Sequence, residues 1–406
     1  RILFDPAVFN GEPGDKITLT LGSLSISGKS VEIDGAAGGA TGVTVSGNNS
    51  VRVFDLLGGT HASMRHLTIT EGNSFQGGGI QVSPGDNFLH LDSCTVTNNT
   101  VTGAGGGILN FNATSIIENS TITNNSADFG GGIENNSTNA RATIVHSTIT
   151  GNSAVRFGGG LSAYLGTTSI QNSVVAGNTA ADGPDVDSRG PLTSIGGNLV
   201  GDNTDVAAFF PAGVPNTAGD YVGSPGTGLL DPQLDVLGSY GGPTRTRRPL
   251  AGSLTIDHGR SCPLASDQRG APRPNGAAVD IGAVEARQTT VVDIAADESD
   301  DPFSGGTSLR EAIELADPVD TVITFSPRLD GGTIVLGGTS LGRVGGATGF
   351  SIDAGSLPRG LTIDADKKSR VFTFQDAGPV SLTALTITGG TAETDAIFPS
   401  VGGGIY

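Results

Sequence analysis

CTVTNNT at 94–100, STITNNS at 120–126, STITGNS at 147–153 and SVVAGNT at 173–179 are four copies of one pattern, spaced 26, 27 and 26 residues apart. A looser copy, LTITEGN, begins at Leu67. Between the copies stands a second landmark: GGGI at 77–80, 105–108 and 130–133, and GGGL at 158–161. Two landmarks that alternate at a fixed period mark a chain built of stacked turns, each too small to bury its apolar face alone.

The chemistry of one turn is legible in the columns. Val96, Ile122, Ile149 and Val175 share a column, and two residues earlier, on the same strand face, stand Cys94, Ser120, Ser147 and Ser173. Thr95, Thr121 and Thr148 point the other way, so the stretch reads as short β-branched strands. Asn99, Asn125, Asn152 and Asn178 fall in one column just past the strand. Asparagine tolerates a left-handed backbone, and stacked asparagines can bond one another up the column. The glycine triplets, centred on Gly106, Gly131 and Gly159, supply a second corner where a side chain would clash. The predicted fold is all-β, a parallel β-helix, with right-handed turns as β-crossovers favour. Were the whole chain solenoid, it would make roughly 15 rungs at ~4.8 Å each.

Composition agrees and excludes other classes. Of 406 residues 65 are glycine, over twice the ~7% of ordinary proteins. They follow no G-X-Y period, which excludes collagen, and 36% apolar content excludes a disordered chain. A net charge of −18 with four lysines argues against nucleic-acid and anionic-lipid partners. Two cysteines, Cys94 and Cys262, make no disulfide framework, and no apolar run is long enough to span a membrane.

A longer repeat overlies the short one. ILFDPAVF at 2–9 parallels ITFSPRLD at 323–330, VEIDG at 31–35 parallels LTIDA at 361–365, and RVF at 52–54 recurs at 370–372. LTITEG at 67–72 recurs as LTITGG at 385–390, and GGGIQ at 77–81 as GGGIY at 402–406. The expected organisation is a first solenoid over 1–195, its terminal part over 196–290, an acidic linker and helix over 291–320, and a second solenoid from 321 to 406. In SLREAIELA, Ser308 and Glu311 form an S-x-x-E capping box, and Leu309, Ala312, Ile313 and Ala316 an apolar stripe. A short helix covering the open end of the second solenoid is predicted. The chain opens on Arg1 with neither Met nor a signal peptide and breaks off on a rung landmark, which suggests a piece of a longer tandem array or a filament subunit.

These residues carry a family resemblance. The GGGI and STIT-N-N rungs resemble bacterial surface β-helix proteins of the polymorphic-outer-membrane-protein type. TSLREAIELA resembles their CSLREAI motif, with Thr307 in place of its cysteine. NLVGD (198–202), LLDPQLDVLGSYGGPTRT (229–246), GSLTIDHG (252–259), SDQRG (266–270) and VDIGAVE (279–285) resemble the choice-of-anchor Q domain. The resemblance implies an exported protein on the bacterial cell surface, and gives fold and location more than activity.

Candidate sites were weighed one by one. Asp92 and Glu118 hold matching positions on adjacent rungs, where a β-helix hydrolase or lyase would place paired carboxylates; the plainer reading is two solvated turn residues. His66, Asn119 and His146 share a column, and surface histidines fit better than a metal site. Asp297, Glu298, Asp300 and Asp301 offer hard oxygen ligands for calcium without EF-hand spacing, and Asp182, Asp185 and Asp187 form a second acidic group. Asp267, Gln268, Arg269, Gly270, Arg273 and Asp280 look like a catalytic constellation, but the two arginines are better read as ties that hold the terminal part together. The expected function is therefore non-enzymatic: an extracellular fibre, stalk or adhesin unit that associates with further copies of itself. The alternatives are a polysaccharide lyase or glycoside hydrolase on the same fold, and a glycan- or cell-binding module.

Overall fold

A computed structural model describes residues 1–9, 16–36, 42–240, 242–250, 252–274, 276–286, 291–299, 306–315, 322–344, 350–375, 380–392 and 404–405. Two compact units divide the chain, Arg1–Ala286 and Arg287–Tyr406.

Every strand-to-strand ladder in the first unit is parallel, because each turn of chain lays its strands on those of the turn before. One turn runs through four sheets. His61–Arg65 belongs to sheet II, Leu67–Thr70 to sheet I, Asn73–Ser74 to the short sheet IV, and Ile80–Val82 to sheet III. Phe88–Asp92 then begins the next turn in sheet II. Among the described residues sheet I is nine strands deep, sheets II and III seven each, and sheet IV four. Period-two alternation sends Leu89 and Leu91 inward, with Ile117, Ile144 and Ile170 stacked in turn on Leu91, all fully buried in one core. Val96, Ile122, Ile149 and Val175 are in register on sheet I.

The corners are made by backbone shape. Gly77, Gly105, Gly130 and Gly158, the first of each triplet, have φ between +57° and +70°, where a Cβ is strained. The second glycine is demanded by space. A Cβ on Gly131 would lie 2.3 Å from the Ser153 carbonyl oxygen and 2.5 Å from that of Gly159. One on Gly106 would lie 2.4 Å from the Gly131 oxygen, and one on Gly159 2.5 Å from that of Pro184.

The solenoid does not run the length of the unit. Among the described residues no strand lies between Tyr221–Val222 and Val291–Val292. The described residues of 244–285 instead lie across the outer face of sheet I through Thr244, Arg245, Thr246, Gln268 and Ala283, so this stretch adds no rungs. The physical reason is the threonine column: Thr95, Thr121 and Thr148 do point away from the core, yet they are at most 2% exposed because this segment covers them.

In the second unit sheets of four, three and two strands repeat the same path. Register corrects one part of the internal alignment. Leu361–Asp364 pairs with Leu385–Thr388 as Val43–Ser46 pairs with Leu67–Thr70. VEID at 31–34 therefore corresponds to the strand Phe350–Asp353, not to LTID at 361–364. Strands with this apolar-polar alternation and a turn after them occur twice per rung, and sequence cannot tell one from the other. The helix Leu309–Leu315 buries Leu309, Ala312 and Ile313 in the second core beside Val292 and Ile323. Ala316 and most of GGGIY lie outside the described residues.

Candidate functional site

The asparagine column forms a hydrogen-bonded ladder. Asn99 Nδ2 donates to Asn125 Oδ1 at 2.9 Å, Asn125 Nδ2 to Asn152 Oδ1 at 3.0 Å, and Asn152 Nδ2 to Asn178 Oδ1 at 3.0 Å. Each Oδ1 also accepts the backbone N–H of the asparagine below, so the corner's orphan donors are satisfied inside the wall. Asp185 closes the ladder, taking the Asn178 Nδ2–H at 2.9 Å, and burial lifts its carboxyl to about 6. The serine column makes a second ladder: Cys94 N–H donates to Ser120 Oγ, Ser120 N–H to Ser147 Oγ, and Ser147 N–H to Ser173 Oγ.

The constellation at 267–285 is a buried clasp. Gln268 is fully buried, and its Nε2 donates to Cys94 O and Thr95 Oγ1 at 3.2 Å and to Thr244 Oγ1 at 2.9 Å. Its Oε1 accepts from Thr121 Oγ1 at 2.6 Å and Thr246 Oγ1 at 3.0 Å. One side chain thus joins two rungs of sheet I to the overlying segment. Arg269 holds Asp267 with two N–H groups, at 3.0 and 2.8 Å. Arg273, also buried, pairs with Glu285 and donates to Asn119 Oδ1 at 3.3 Å. Burial pushes the Asp280 carboxyl up to about 7. His146 overturns the expectation of a surface histidine: the segment covers it completely, and burial pulls its imidazole down to about 2, so it is neutral.

The outer face of sheet II gathers charge in pairs. Asp92 and Glu118 are register partners on adjacent strands, and each has its own basic partner. Arg65 Nε donates to Asp92 Oδ2 at 2.9 Å, and His90 Nε2 lies 2.9 Å from Glu118 Oε2. The hydrogen bond to Glu118 raises His90 above its ordinary value. His66 Nδ1 sits 2.8 Å from Asp34 Oδ1, rungs away from His146.

In the linker, both carboxylate oxygens of Asp297 are engaged by Arg310 at 2.9 Å, and one also accepts the Gly337 N–H. The Glu298 carbonyl accepts from Ser308 Oγ at 2.6 Å. Asp300 and Asp301 lie outside the described residues. Ser308 N–H donates to Glu311 Oε2 at 2.8 Å, and Glu311 N–H to Ser308 Oγ at 3.1 Å, the reciprocal bonds of a capping box. No cluster of three metal-ligating side chains occurs among the described residues.

Two features escaped the sequence reading. Glu134, Ser162 and Asp187 are in register on three successive strands of sheet III. Glu134 and Asp187 are at most 4% exposed; Glu134 Oε2 has no hydrogen-bond partner, while Asp187 Oδ2 has none but pairs with Arg189 Nε at 3.7 Å. Burial lifts Glu134 to about 7 and raises Asp187 as well. The second feature is a groove of about 500 Å³ on the outer face of sheet II, lined by His61, Phe88, Thr114 and the loops carrying Asp86, Asn112 and Asn139. Its floor is one outward column, His61–Phe88–Thr114, legible only once the strand register is known.

No family model matches the chain, and no curated protein matches it. Among solved structures, the crystal structure of pectate lyase Pel9A aligns with 69% of this chain and 90% of its own, at 16% identity and a TM-score of 0.28. A likeness so loose bears on no residue's chemistry.

Proposed function

We propose that this chain is a non-enzymatic structural module of the bacterial cell surface, a unit of a fibre, stalk or adhesin. The observation that carries this reading is the clasp. The residues that most resembled a catalytic set are buried, and they bind one part of the chain to another through Gln268, Arg269 and Arg273. The sequence resemblance to polymorphic-outer-membrane-type repeats supports the location. Self-association end to end belongs to the same proposal. The test is a screen of the full chain against acidic and neutral polysaccharides with calcium present, alongside sedimentation across a concentration series. Polysaccharide cleavage would overturn the non-enzymatic reading; a concentration-independent monomer would overturn self-association.

The second reading is a glycoside hydrolase or lyase, favoured by one observation. Glu134 and Asp187 are buried carboxyls in register on strands two spacings apart, with Arg189 Nε 3.7 Å from Asp187 Oδ2. If the screen finds cleavage, Glu134→Gln abolishes it on this reading.

A further inference from the structure

We propose that the groove on the outer face of sheet II binds a neutral, linear glycan. Its volume, about 500 Å³, falls within the range of ligand pockets. It is open along one side and crosses three successive turns, because Asp86, Asn112 and Asn139 come from the loops that precede three neighbouring strands of that sheet. An extended chain fits such a channel better than a compact molecule does.

The lining selects the chemistry. His61 and Phe88 stand side by side on the floor, ring centroids 5.8 Å apart and tilted by 40°. His61 is exposed and Phe88 half-buried, so the pair offers an apolar surface to the C–H face of a sugar ring. Around it stand three amides, of Asn87, Asn112 and Asn139, with the Thr114 hydroxyl and the Asp86 carboxylate; the amides and hydroxyl can donate to or accept from sugar hydroxyls, and the carboxylate accepts. The side chains of Asp86 and Asn139 make no hydrogen bond to the described residues, leaving their polar atoms for a ligand. Among the described residues no Lys or Arg lines the groove, Arg141 standing one strand beyond Thr114, and the chain carries a net charge of −18, so an acidic glycan or a nucleic acid is disfavoured.

The walls are held in place before any ligand arrives. Buried Asn87 accepts the Thr60 N–H at 2.7 Å and donates to Ser83 O at 2.8 Å, fixing the loop that carries Asp86. Asn112 Oδ1 accepts from Ser137 Oγ at 3.0 Å, tying that loop to the next turn, which bears Asn139. A rigid site loses little freedom on binding. The inference is independent of whether the chain forms a fibre.

The test is calorimetric titration of the full chain with hexamers of β-1,4-glucose, β-1,4-N-acetylglucosamine and α-1,4-glucose, and with hexagalacturonate. A neutral hexamer is expected to bind in the micromolar-to-millimolar range, with hexagalacturonate weaker. Phe88→Ala and Asn139→Trp, the latter a filling change in an exposed turn, should each weaken binding by roughly tenfold or more. Unchanged melting of Asn139→Trp separates loss of the site from loss of the fold. The proposal is overturned if no neutral hexamer binds, if Asn139→Trp leaves affinity unchanged, or if hexagalacturonate binds as tightly as the best neutral hexamer.

Discussion

Asn178 Nδ2–H donates to Asp185 Oδ1 at 2.9 Å, so a ladder of buried asparagines ends on a buried carboxylate. The same Asp185 oxygen takes the Asn178 backbone N–H, and its other oxygen takes the Asp202 N–H. Each member of the ladder satisfies donors that belong to the turn beneath it. The corner therefore tolerates no gap.

Asn152→Ala is the sharpest probe of this. It strips a partner from the Asn125 N–H and from Asn125 Nδ2, and takes from Asn178 Oδ1 one of its two donors, leaving the backbone N–H of residue 152. At about 1–3 kcal/mol for each buried group left unmet, a loss of roughly 3 kcal/mol or more is expected in chemical denaturation. A loss under about 1 kcal/mol would mean that water replaces the amide.

The glycine corner predicts a contrast between two substitutions. Gly131→Ala forces a Cβ to 2.3 Å from a backbone oxygen that cannot swing aside, and should cost roughly 3 kcal/mol or more. Gly59→Ala meets open space and carries only the strain of φ +79°, about 1 kcal/mol. Equal effects in thermal melts would remove space as the reason for the triplet.

Gln268→Leu tests the clasp. It leaves Thr95, Thr121, Thr244 and Thr246 without the shared amide, and a loss of about 2–4 kcal/mol is expected. Limited proteolysis should then cut first within residues 244–285. Cleavage at the wild-type rate would show that apolar contacts alone hold the segment down.

Stability should fall as pH rises from 5 to 7.5. Glu134 and Asp280, lifted to about 7, and Asp185, lifted to about 6, bind protons in the folded state where the unfolded chain, with carboxyls at 4.5 and 3.8, has released them. Their contribution is complete at low pH and disappears as pH climbs through those values. His146 opposes them: pulled down to about 2 from 6.5, it destabilises the fold as pH falls below 6.5. Between pH 5 and 6 Glu134, Asp280 and Asp185, joined by raised Asp187, act against one imidazole, and above 6.5 Glu134 and Asp280 act in the same direction as His90, which Glu118 raises. A net loss on the order of a few kcal/mol follows, at about 1.4 kcal/mol per pKa unit. A flat profile in urea melts at pH 5, 6, 7 and 7.5 would contradict it.

Sequence alone determined the stacked architecture. The columns Val96–Ile122–Ile149–Val175 and Asn99–Asn125–Asn152–Asn178 repeat because each turn must match the one beneath, so local chemistry and global fold carry the same period. Tertiary structure alone decided what the wall faces. Thr95, Thr121 and Thr148 carry no mark of burial, and only the fold of residues 244–285 onto them turns a polar exterior into an interior with Gln268 at its centre. His146 became a buried neutral base for the same reason. Glu134 and Asp187, 53 positions apart, became neighbours but one through strand register, as did His61 and Phe88 on the floor of the groove. A repeat announces itself through its period; a non-repeating segment laid across it has none, and its contacts exist only in three dimensions.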